Sequence, residues 1–438
     1  MQRGGPCAAW GPEVIEGPLR LSERDRAFLG GELGQGAAMA MRILTTMAEV
    51  YGASELLDIE GAHIDGCLYH GESGLDFAER LVDGGAQVRV PTTLNVGAID
   101  LVHPELYQGT EAQAGRSRRL MECYTEMGCQ SIFSCAPYQS GARPPRGAQV
   151  AWAESNAIVF CNSVLGARTN RYGDFIDICA AVTGRAPAVG LHLDEPRLAT
   201  LVADLRELPE ALLRDDVAYP VLGYWLGSIS GNRVPVLVGL PAETDEDRLK
   251  ALGAAAASAG ATALFHAVGV TPEAPTLPAA LGGRAPEITL SCDLETFEAA
   301  RRRLSTAKDG PIDVVALGSP HFSLAEFERL MPLVEENPPS DRVEFVVCTH
   351  RLALAALEEK GWLERLRDVG VKVIVDTCVV VAPMLRQREG VLMTNSGKFA
   401  HYTPGNLGMG VVYGSLEECV ASAAHGETRR LPAHWAKP

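Results

Sequence analysis

The spacing of apolar residues along the chain predicts a series of amphipathic helices from about residue 22 onward. In residues 36–51 apolar side chains recur at intervals of three and four, which predicts a packed helix. The same spacing predicts helices over residues 72–81 and 111–126. Ser22 stands directly before the charged residues of the first helical stretch, so we expect it to be an N-cap.

Short apolar runs between the helices predict buried strands. They lie at residues 56–59, 88–95, 131–133, 188–192, 234–239, 261–268, 314–318, 343–348 and 371–375. Further helical runs at residues 244–257 and 324–335 separate several of these strands. Strands that alternate with helices in this way are typical of proteins with mostly parallel sheets. The pattern therefore predicts an α/β fold with several layers.

The length of the chain predicts more than one lobe, because 438 residues are more than a domain with a single hydrophobic core usually contains. Residues 1–21 are rich in Gly and Pro and are expected to form a flexible leader. We expect a first α/β lobe or lobes over residues 22–272 and a further α/β lobe over 287–416. A soft boundary rich in Pro, Gly and Ala lies near 273–286, and 417–438 is expected to be a C-terminal tail.

Composition narrows the class of protein. A net charge of -16 argues against a nucleic-acid partner, and no apolar run has the length of a membrane span. The N-terminus lacks the apolar core of a signal peptide. Eleven cysteines, an odd number without a dense framework, indicate reduced thiols in the cytoplasm, some of them available to bind metal. The absence of CxxC and HExxH motifs leaves a simple zinc site without support.

Polar residues follow the predicted strands at five places. These are His63 and Asp65; Cys135 and Tyr138; Ser319, His321 and Ser323; Asp376, Thr377 and Cys378; and Asn395, Ser396 and Lys398. Open α/β sheets bind ligands at the carboxyl ends of their strands. The five places together predict an active site that is assembled from several strand ends.

The stretch VFCNSVLGARTNR, residues 159–171, follows an apolar run that ends a buried strand or helix. It supplies a thiol, amides, hydroxyls and two guanidinium groups, on Cys161, Asn162, Ser163, Arg168, Thr169, Asn170 and Arg171. One interpretation is a donor-rich cluster that grips a carboxylate or phosphate. The other is a structural turn with a small buried cysteine and surface arginines. The stretch alone leaves both open.

Cysteines at separate strand ends suggest a cofactor. Thiolates that arrive from several directions can surround an iron–sulfur cluster, and an iron with an open position acts as a Lewis acid. The alternative is that Cys135 and Cys378 are small buried hydrophobic residues and that His321 caps the neighbouring helix.

Several segments resemble one known family. VFCNSVLGARTNR, SCAPY, VALGSPHFSL, VDTCVVVAP and MTNSGKFAHYTPG, with GELGQGAAMAMRILTTMAEVYGASELLDI and GAHIDG, are similar to the large catalytic part of aconitase X. The resemblance extends over about residues 22–416. It implies an aconitase-like fold, with α/β layers around a central active-site cleft. It also implies a hydro-lyase that acts on a small hydroxy acid and contains iron or an iron–sulfur cluster.

Known activities in this family are dehydration of cis-3-hydroxy-L-proline to Δ1-pyrroline-2-carboxylate and dehydration of mevalonate 5-phosphate. The chain departs from the expected pattern at two positions. Ser319 stands where a GCPH motif would supply a cysteine, and Cys161 stands where alanine is expected. The departures favour the hydroxyproline activity, with Cys135, Cys161 and Cys378 as metal ligands. Such a set suits a [2Fe–2S] cluster or a mononuclear iron.

A mechanistic hypothesis for such a dehydratase gives roles to several polar residues. Substrate binding is expected of Asn162, Ser163, Arg168, Thr169, Asn170, Asn395, Ser396 and Lys398. Catalytic roles are expected of His63, Asp65, Ser163, His321 and Lys398. The family has a small swivelling β-rich domain that this chain is expected to lack, so we predict a separate small subunit.

Two rival interpretations remain. One is dehydration of mevalonate 5-phosphate, with Arg168, Arg171 and Lys398 holding the phosphate. The other is a metal-free binding or assembly subunit whose thiols only pack. A Rossmann dehydrogenase is disfavoured, because no G-x-G-x-x-G follows a strand and opens a helix.

Overall fold

A computed structural model describes residues 19–432 and Trp435. Apart from its last three residues, the predicted leader therefore lies outside the described residues. Fourteen strands occur in this part of the chain: β1 Leu56–Asp58, β2 Ala62–Ile64, β3 Thr92–Leu94, β4 Ala151–Trp152, β5 Arg185–Pro187, β6 Leu201–Asp204, β7 Pro235–Val238, β8 His266–Ala267, β9 Ile288–Ser291, β10 Val314–Phe322, β11 Glu344–Thr349, β12 Val371–Ile374, β13 Val391–Thr394 and β14 Gly410–Tyr413.

Sixteen α-helices accompany these strands in the described residues. They are α1 Glu23–Leu29, α2 Gln35–Val50, α3 Glu72–Asp83, α4 Glu111–Glu126, α5 Ser155–Phe160, α6 Ile176–Thr183, α7 Glu210–Leu213, α8 Ala218–Ser230, α9 Glu246–Ala259, α10 Leu277–Ala280, α11 Leu294–Arg303, α12 Leu324–Glu336, α13 Arg351–Glu359, α14 Trp362–Asp368, α15 Gly397–Asn406 and α16 Leu416–His425. The predicted N-cap is confirmed, because Ser22 accepts a hydrogen bond from the backbone N–H of Asp25 in a capping box.

Three parallel sheets organise the chain, and the predicted α/β class is confirmed. The first has the order β3-β2-β4, the second β8-β7-β6-β9 and the third β12-β11-β10-β13-β14. A small antiparallel pair, β1-β5, accompanies the first sheet. Because parallel strands need crossover helices, each sheet is covered by helices and carries its own apolar core.

The third sheet shows how the sequence determines the layers. Val315 and Leu317 of β10 face one core, with Phe327 of α12, whereas Val314 and Ala316 face another core. This alternation follows from the two-residue period of a strand, and the continuously apolar strand is buried on both faces. Helices α12 and α16 cover the first face, and Phe399 of α15 packs on the second.

The lobes are divided differently from the predicted domain ranges. Strand β9 lies beyond the soft boundary at 273–286, yet it pairs with β6 in the second sheet. Residues 417–425, expected to belong to a tail, form most of α16 and pack against the third sheet. Pairing with the distant strand β6 decided the position of β9, and packing on the third core decided that of α16, and local composition signals neither.

Two predicted strands are wrong. Residues 131–133 form no strand, because Phe133 adopts a left-handed backbone conformation with φ of 41°. Residues 188–192 contain a short 3-10 helix over Gly190–His192 instead of a strand. The apolar run at residues 157–160, for which the sequence allowed a strand or a helix, belongs to helix α5. In the described part of the chain no helix is both long enough and apolar enough to cross a membrane.

Candidate active site

A buried ion pair lies at the centre of the site. Glu154 follows β4, and Lys398 lies in the first turn of α15, after β13. The Lys398 ammonium donates a hydrogen bond to Glu154 Oε1, and both side chains are largely buried. Although burial lowers the pKa of Lys398, the Glu154 carboxylate raises it overall. The pKa of Glu154 is lowered in turn, because Lys398 outweighs the opposing effect of burial. Both groups therefore stay charged near neutral pH.

Two thiols lie within the electrostatic influence of this pair. Burial raises the pKa of Cys135 to about 12, and the Lys398 ammonium opposes that effect. Burial also raises the pKa of Cys378, and Lys398 again opposes it, together with the backbone N–H groups of Val380 and Val381. The thiols are near enough that the charge of Cys378 raises the pKa of Cys135. Cys135 and Cys378, two of the three predicted metal ligands, thus lie within electrostatic range of Lys398, and Cys135 lies within range of Cys378.

His321 connects the two segments that carry these thiols. Its backbone N–H donates to Cys135 Sγ at 3.3 Å. Its ring bonds Ser134 Oγ through Nδ1 at 3.3 Å and the Thr377 carbonyl through Nε2 at 3.2 Å. Burial lowers the pKa of His321 to about 3, so the ring is neutral. The neutral tautomer that donates from Nε2 and accepts at Nδ1 satisfies both contacts. His321 does not cap α12, since Ser323 fills that position.

The bend of β10 depends on Gly318. Its φ is +89°, and an added Cβ would lie 2.0 Å from the Cys348 carbonyl oxygen. Glycine alone accepts this conformation at so close an approach. The β10–β11 register shifts between Leu317 and Phe322, and this shift directs the segment from Ser319 to His321 toward the site.

A group of acidic residues, Asp65, Asp174 and Asp177, lies within the electrostatic influence of Glu154 or of one another. Burial raises the pKa of Asp65 to about 7, and Glu154 and Asp174 add to this effect. Asn95 donates a hydrogen bond to the Asp65 carboxyl group. The Asp65 backbone N–H donates to Asp177 at 2.8 Å. A carboxyl group with a pKa near neutrality can both accept and release a proton.

His63 lies in β2, two residues before Asp65. Its Nδ1 contacts Thr93 Oγ1 at 2.8 Å, whereas its Nε2 is buried with no hydrogen-bond partner among the described residues. Burial lowers the pKa of His63 to about 4, so the ring is neutral at pH 7. Neutral imidazole with a free nitrogen can accept a hydrogen bond from a ligand or donate one to it.

A cavity of about 590 Å³ extends between α8 and α9 on one side and the ends of β10 and β13 on the other. Ser319, Asn395 and Ser396 are among the residues that line it. The Ser396 hydroxyl donates to the Ser319 carbonyl and also caps α15.

Every described basic side chain that lines the cavity has a carboxylate partner. The pairs include Arg214–Glu210, Arg248–Asp216, Lys250–Asp247, Arg301–Glu418 and Arg329–Asp216. The described cavity wall therefore offers no unpaired cation to an anionic ligand.

The stretch 159–171 is engaged with neighbouring backbone. Asn162 donates to the Thr169 and Ala263 carbonyls at 2.9 and 3.0 Å. Ser163 Oγ accepts the backbone N–H of Phe265 at 2.9 Å. These contacts join the first lobe to the second. They are the contacts of a structural turn, and substrate roles for Asn162 and Ser163 stay predictions.

The second half of the stretch is held in the same way. Thr169 Oγ1 accepts the Trp152 backbone N–H at 2.9 Å, and Asn170 donates to the Val189 carbonyl at 2.9 Å. Arg168 donates to the His192 carbonyl at 3.1 Å and forms an ion pair with Asp194. Arg168 is thus not brought together with Lys398 by any described contact, and its substrate role also stays a prediction.

Cys161 is placed apart from the other two thiols. It is fully buried in an apolar cluster with Tyr138, Trp152 and Phe160, at the start of a π-helical turn over Cys161–Leu165. Burial raises its pKa, and the one charged group that acts on it is Arg197. No described contact joins Cys161 to Cys135 or Cys378, so its role as a metal ligand stays a prediction.

The donor set fits an iron centre only in part. Cys135 and Cys378 are soft ligands, and Lys398 and backbone N–H donors oppose, without overcoming, the burial that raises the pKa of both thiols. However, no group of three His, Cys, Asp or Glu side chains in residues 19–432 is arranged to hold a metal ion. Ser319 lies where the resemblance places a further thiol. An iron centre at these thiols would need ligands beyond this pair.

Sequence reasoning missed Glu154, although its charge acts on His63, Asp65, Cys135 and Cys378. Glu154 follows a strand end, like the predicted site residues. Its strand β4 has only two residues and is too short to give a periodic signal.

Sequence profiles of one family match the chain in three consecutive parts. These are the aconitase X first domain over residues 18–195, second domain over 199–302 and third domain over 312–425. Together the matches extend over most of the chain.

Individual proteins are similar over nearly the same length. The chain is 45% identical to cis-3-hydroxy-L-proline dehydratase of Pseudomonas aeruginosa, over 94% of the chain and 72% of that protein. It is 44% identical to the protein of the same name from Hypocrea jecorina, over 93% of the chain and 69% of that protein. It is 38% identical to the phosphomevalonate dehydratase large subunit of Methanothermobacter thermautotrophicus, over 91% of the chain and 97% of that protein.

The fold is also similar to a solved structure. A crystal structure of Thermococcus kodakaraensis aconitase X in its holo-form superposes with a TM-score of 0.83 and 32% identity. The similarity covers 92% of this chain and all of that one.

Proposed function

This chain belongs to the aconitase X family, and from that premise we propose that it dehydrates cis-3-hydroxy-L-proline to Δ1-pyrroline-2-carboxylate. Membership makes it a hydro-lyase, since its curated relatives are dehydratases. The observation that carries the choice of substrate is the identity of 44–45% to two cis-3-hydroxy-L-proline dehydratases. Identity to phosphomevalonate dehydratase large subunits is lower, at 32–38%.

The charges around the site support an unphosphorylated substrate. A phosphate is held best by several cationic donors. Lys398 is paired with Glu154, and the described cations of the adjoining cavity are paired with carboxylates. A single substrate carboxylate needs less compensation, and Lys398 with Ser319, Asn395 and Ser396 can supply it.

Asp65 is the proton acceptor in our proposal. Asp65 removes the proton from C2 as the 3-hydroxyl leaves, return of that proton to the departing hydroxide completes the water molecule, and the resulting enamine tautomerises to the cyclic imine. A base with a pKa of about 7 is suited to this step near neutral pH. The free Nε2 of His63 is positioned to bind a polar atom of the substrate beside Asp65. His321 acts as a positioning residue, because its backbone N–H and both ring nitrogens bond the segments that carry the thiols.

Cys135 and Cys378 are the residues of this chain that would hold an iron centre. When bound, such a centre supplies Lewis acidity that makes the 3-hydroxyl a better leaving group. Two thiols suit a [2Fe–2S] cluster or a single iron whose remaining positions are filled by other donors. We propose that these residues would hold the [2Fe–2S] form. Iron and sulfide content of anaerobically purified protein distinguishes the two forms.

We also propose a separate small subunit. The relative from Methanothermobacter thermautotrophicus is named a large subunit, and the match covers 97% of it. The matches to the two hydroxyproline dehydratases cover only 72% and 69% of those proteins. A short open reading frame for a β-rich protein beside this one, and a complex of the two products, are the expected observations.

A cytoplasmic location is part of the proposal. Every cysteine in the described part of the chain is buried and free, which is expected of a protein in a reducing compartment.

The substrate is tested by anaerobic assays with iron and the small subunit. The protein is given cis-3-hydroxy-L-proline or mevalonate 5-phosphate, and the cyclic imine is trapped with o-aminobenzaldehyde. Turnover of hydroxyproline, and its loss in Asp65→Asn, is expected. Turnover of only mevalonate 5-phosphate would show that the protein is a mevalonate 5-phosphate dehydratase instead. An iron-free and colourless but folded protein, with neither activity, would favour a binding or assembly subunit.

A further inference from the structure

One arginine contacts both segments that carry the paired thiols. Arg351, the first residue of α13, donates from Nε and Nη2 to the two carboxylate oxygens of Asp376, at 2.7 and 2.6 Å. Its Cζ atom also lies 5.1 Å from the centre of the Phe133 ring. Asp376 precedes Cys378 by two residues, and Phe133 precedes Cys135 by two residues. The planar guanidinium can make both contacts at once, since it pairs through its edge and stacks through its face.

The two contacted residues have an unusual backbone. Phe133 and Asp376 have φ values of 41° and 63°. In the described residues only Glu154 and Phe175 share a positive φ without being glycine. Such conformations cost roughly 1–3 kcal/mol each and persist where surrounding contacts enforce them. For a bulky aromatic residue such as Phe133 the conformation is particularly rare.

Burial makes the Arg351 contact important for Asp376. The Asp376 side chain is fully buried, and Arg351 is the one cation that pairs with it in the described chain. Asp376 also accepts the Leu101 backbone N–H at 3.3 Å, and its carbonyl accepts the Gly97 N–H at 2.8 Å. The segment before Cys378 is therefore attached to the first lobe as well as to Arg351.

We propose that Arg351 is a positioning residue that sets the placement of Cys135 relative to Cys378, by holding Phe133 and Asp376 in their left-handed conformations. Arg351 and His321 then restrain the same two segments through different contacts. This inference rests on the proposed function, because it concerns the thiol pair assigned to the metal. Arg351 itself contacts neither Cys135 nor Cys378, so it acts on the thiols only through Phe133 and Asp376.

The test uses binding of Co²⁺ to the metal-free full-length chain, without substrate. Co²⁺ bound by thiolates gives a charge-transfer absorption in the near ultraviolet, so the band reports both thiols directly. Changes to groups that orient ligands typically cost about 10–100-fold in metal affinity. We expect Arg351→Met to weaken Co²⁺ binding by about tenfold or more, with a weaker thiolate band. Arg351→Lys keeps the charge but loses the paired donors. Its Co²⁺ affinity is expected to lie between those of the wild type and Arg351→Met.

A double variant separates positioning from stability. Arg351→Met leaves a buried carboxylate unpaired, and adding Asp376→Asn removes that charge. Asparagine accepts left-handed conformations well. The double variant is expected to regain thermal stability but not Co²⁺ affinity. The matched control is Arg365→Met, which removes an ion pair with Glu335 on the same side of the third lobe.

Each outcome decides the question. Wild-type Co²⁺ affinity in Arg351→Met, or its full recovery in the double variant, overturns the positioning role and leaves the dehydratase proposal intact. Absence of a thiolate band in the wild-type chain overturns the thiol pair and the positioning role together. If the wild-type chain gives the Co²⁺–thiolate band but does not turn over hydroxyproline, the result would count against the proposed substrate alone.

Discussion

Lys398 donates a hydrogen bond to Glu154 inside the protein, and the two residues are 244 positions apart in the chain. Glu154 also accepts the Ala157 backbone N–H at 2.7 Å, at the start of α5. The pair therefore joins the first lobe to the third and fixes a carboxylate and an ammonium beside the two thiols. A site of this kind is stable only when both charges are present, because each alone would be buried without compensation.

Removing one member of this pair should be more harmful than removing both. Lys398→Met is expected to destabilise the protein by about 3–5 kcal/mol, since the Glu154 carboxylate is left buried and unpaired. The double variant with Glu154→Gln should recover part of that loss. Unfolding in denaturant measures the effect, with the exposed Lys360→Met as control. Strictly additive losses in the double variant would contradict the coupling.

The thiols can be ranked by iron content. Cys135→Ala and Cys378→Ala are each expected to lower the iron bound per chain after anaerobic reconstitution, because these two thiols lie together beside Lys398. Cys161→Ala should retain wild-type iron, since Cys161 packs in a separate apolar cluster. Iron loss in Cys161→Ala as complete as in Cys378→Ala would restore the three-cysteine ligand set predicted from the sequence.

A thiol at position 319 should strengthen metal binding. Ser319 lines the cavity, at a position where the family pattern places a cysteine. Thiolate is a much better ligand for iron than a hydroxyl. Ser319→Cys is therefore expected to retain more iron during dialysis against a chelator, with a changed visible spectrum. Ala211→Cys, which adds a thiol to α7 on the cavity wall, is the control. Equal retention in both variants would show that position 319 does not face the centre.

The contacts of Arg168 favour a role in stability, and the substrate role predicted from the sequence can be tested against it. Its guanidinium forms an ion pair with the Asp194 carboxylate and donates a hydrogen bond to the His192 carbonyl. Arg168→Lys should lower the melting temperature slightly, because a partly exposed ion pair contributes about 0–1 kcal/mol. The KM for hydroxyproline should remain unchanged, as it should in Asp194→Asn. A large rise in KM in Arg168→Lys alone would return Arg168 to the role of carboxylate ligand.

The contribution of Asp177 to stability should fall as the pH rises from about 4 to 7. Burial raises the pKa of Asp177 from 3.8 to about 7, so the folded protein holds this proton more tightly than the unfolded chain. The favourable contribution is complete below the unfolded pKa and is lost as the pH approaches the folded pKa. Asp177→Asn should flatten this fall by at most about 4 kcal/mol. Denaturant unfolding at several pH values measures the slope, with the exposed Asp83→Asn as control. An unchanged slope would assign the titration to another group.

The sequence by itself determined the class of fold and much of the local structure. Apolar spacing predicted α2, α3, α4 and most strands of the second and third sheets, because helix and strand periods depend on near neighbours. It also predicted strand ends before Asp65, Cys378 and Lys398, which follow β2, β12 and β13, whereas the strand predicted before Cys135 is absent. The motifs were specific enough to identify the family, which the comparisons then confirmed.

Only the tertiary structure decided which of these groups meet. It brought Cys135 and Cys378 to Lys398 and left Cys161 in an apolar cluster of its own. It engaged Asn162 and Arg168 in contacts with neighbouring segments, and it revealed Glu154 and Arg351. Periodicity reports the face on which a residue lies but not its partner across hundreds of positions. That choice belongs to the packing of whole lobes, which no local pattern encodes.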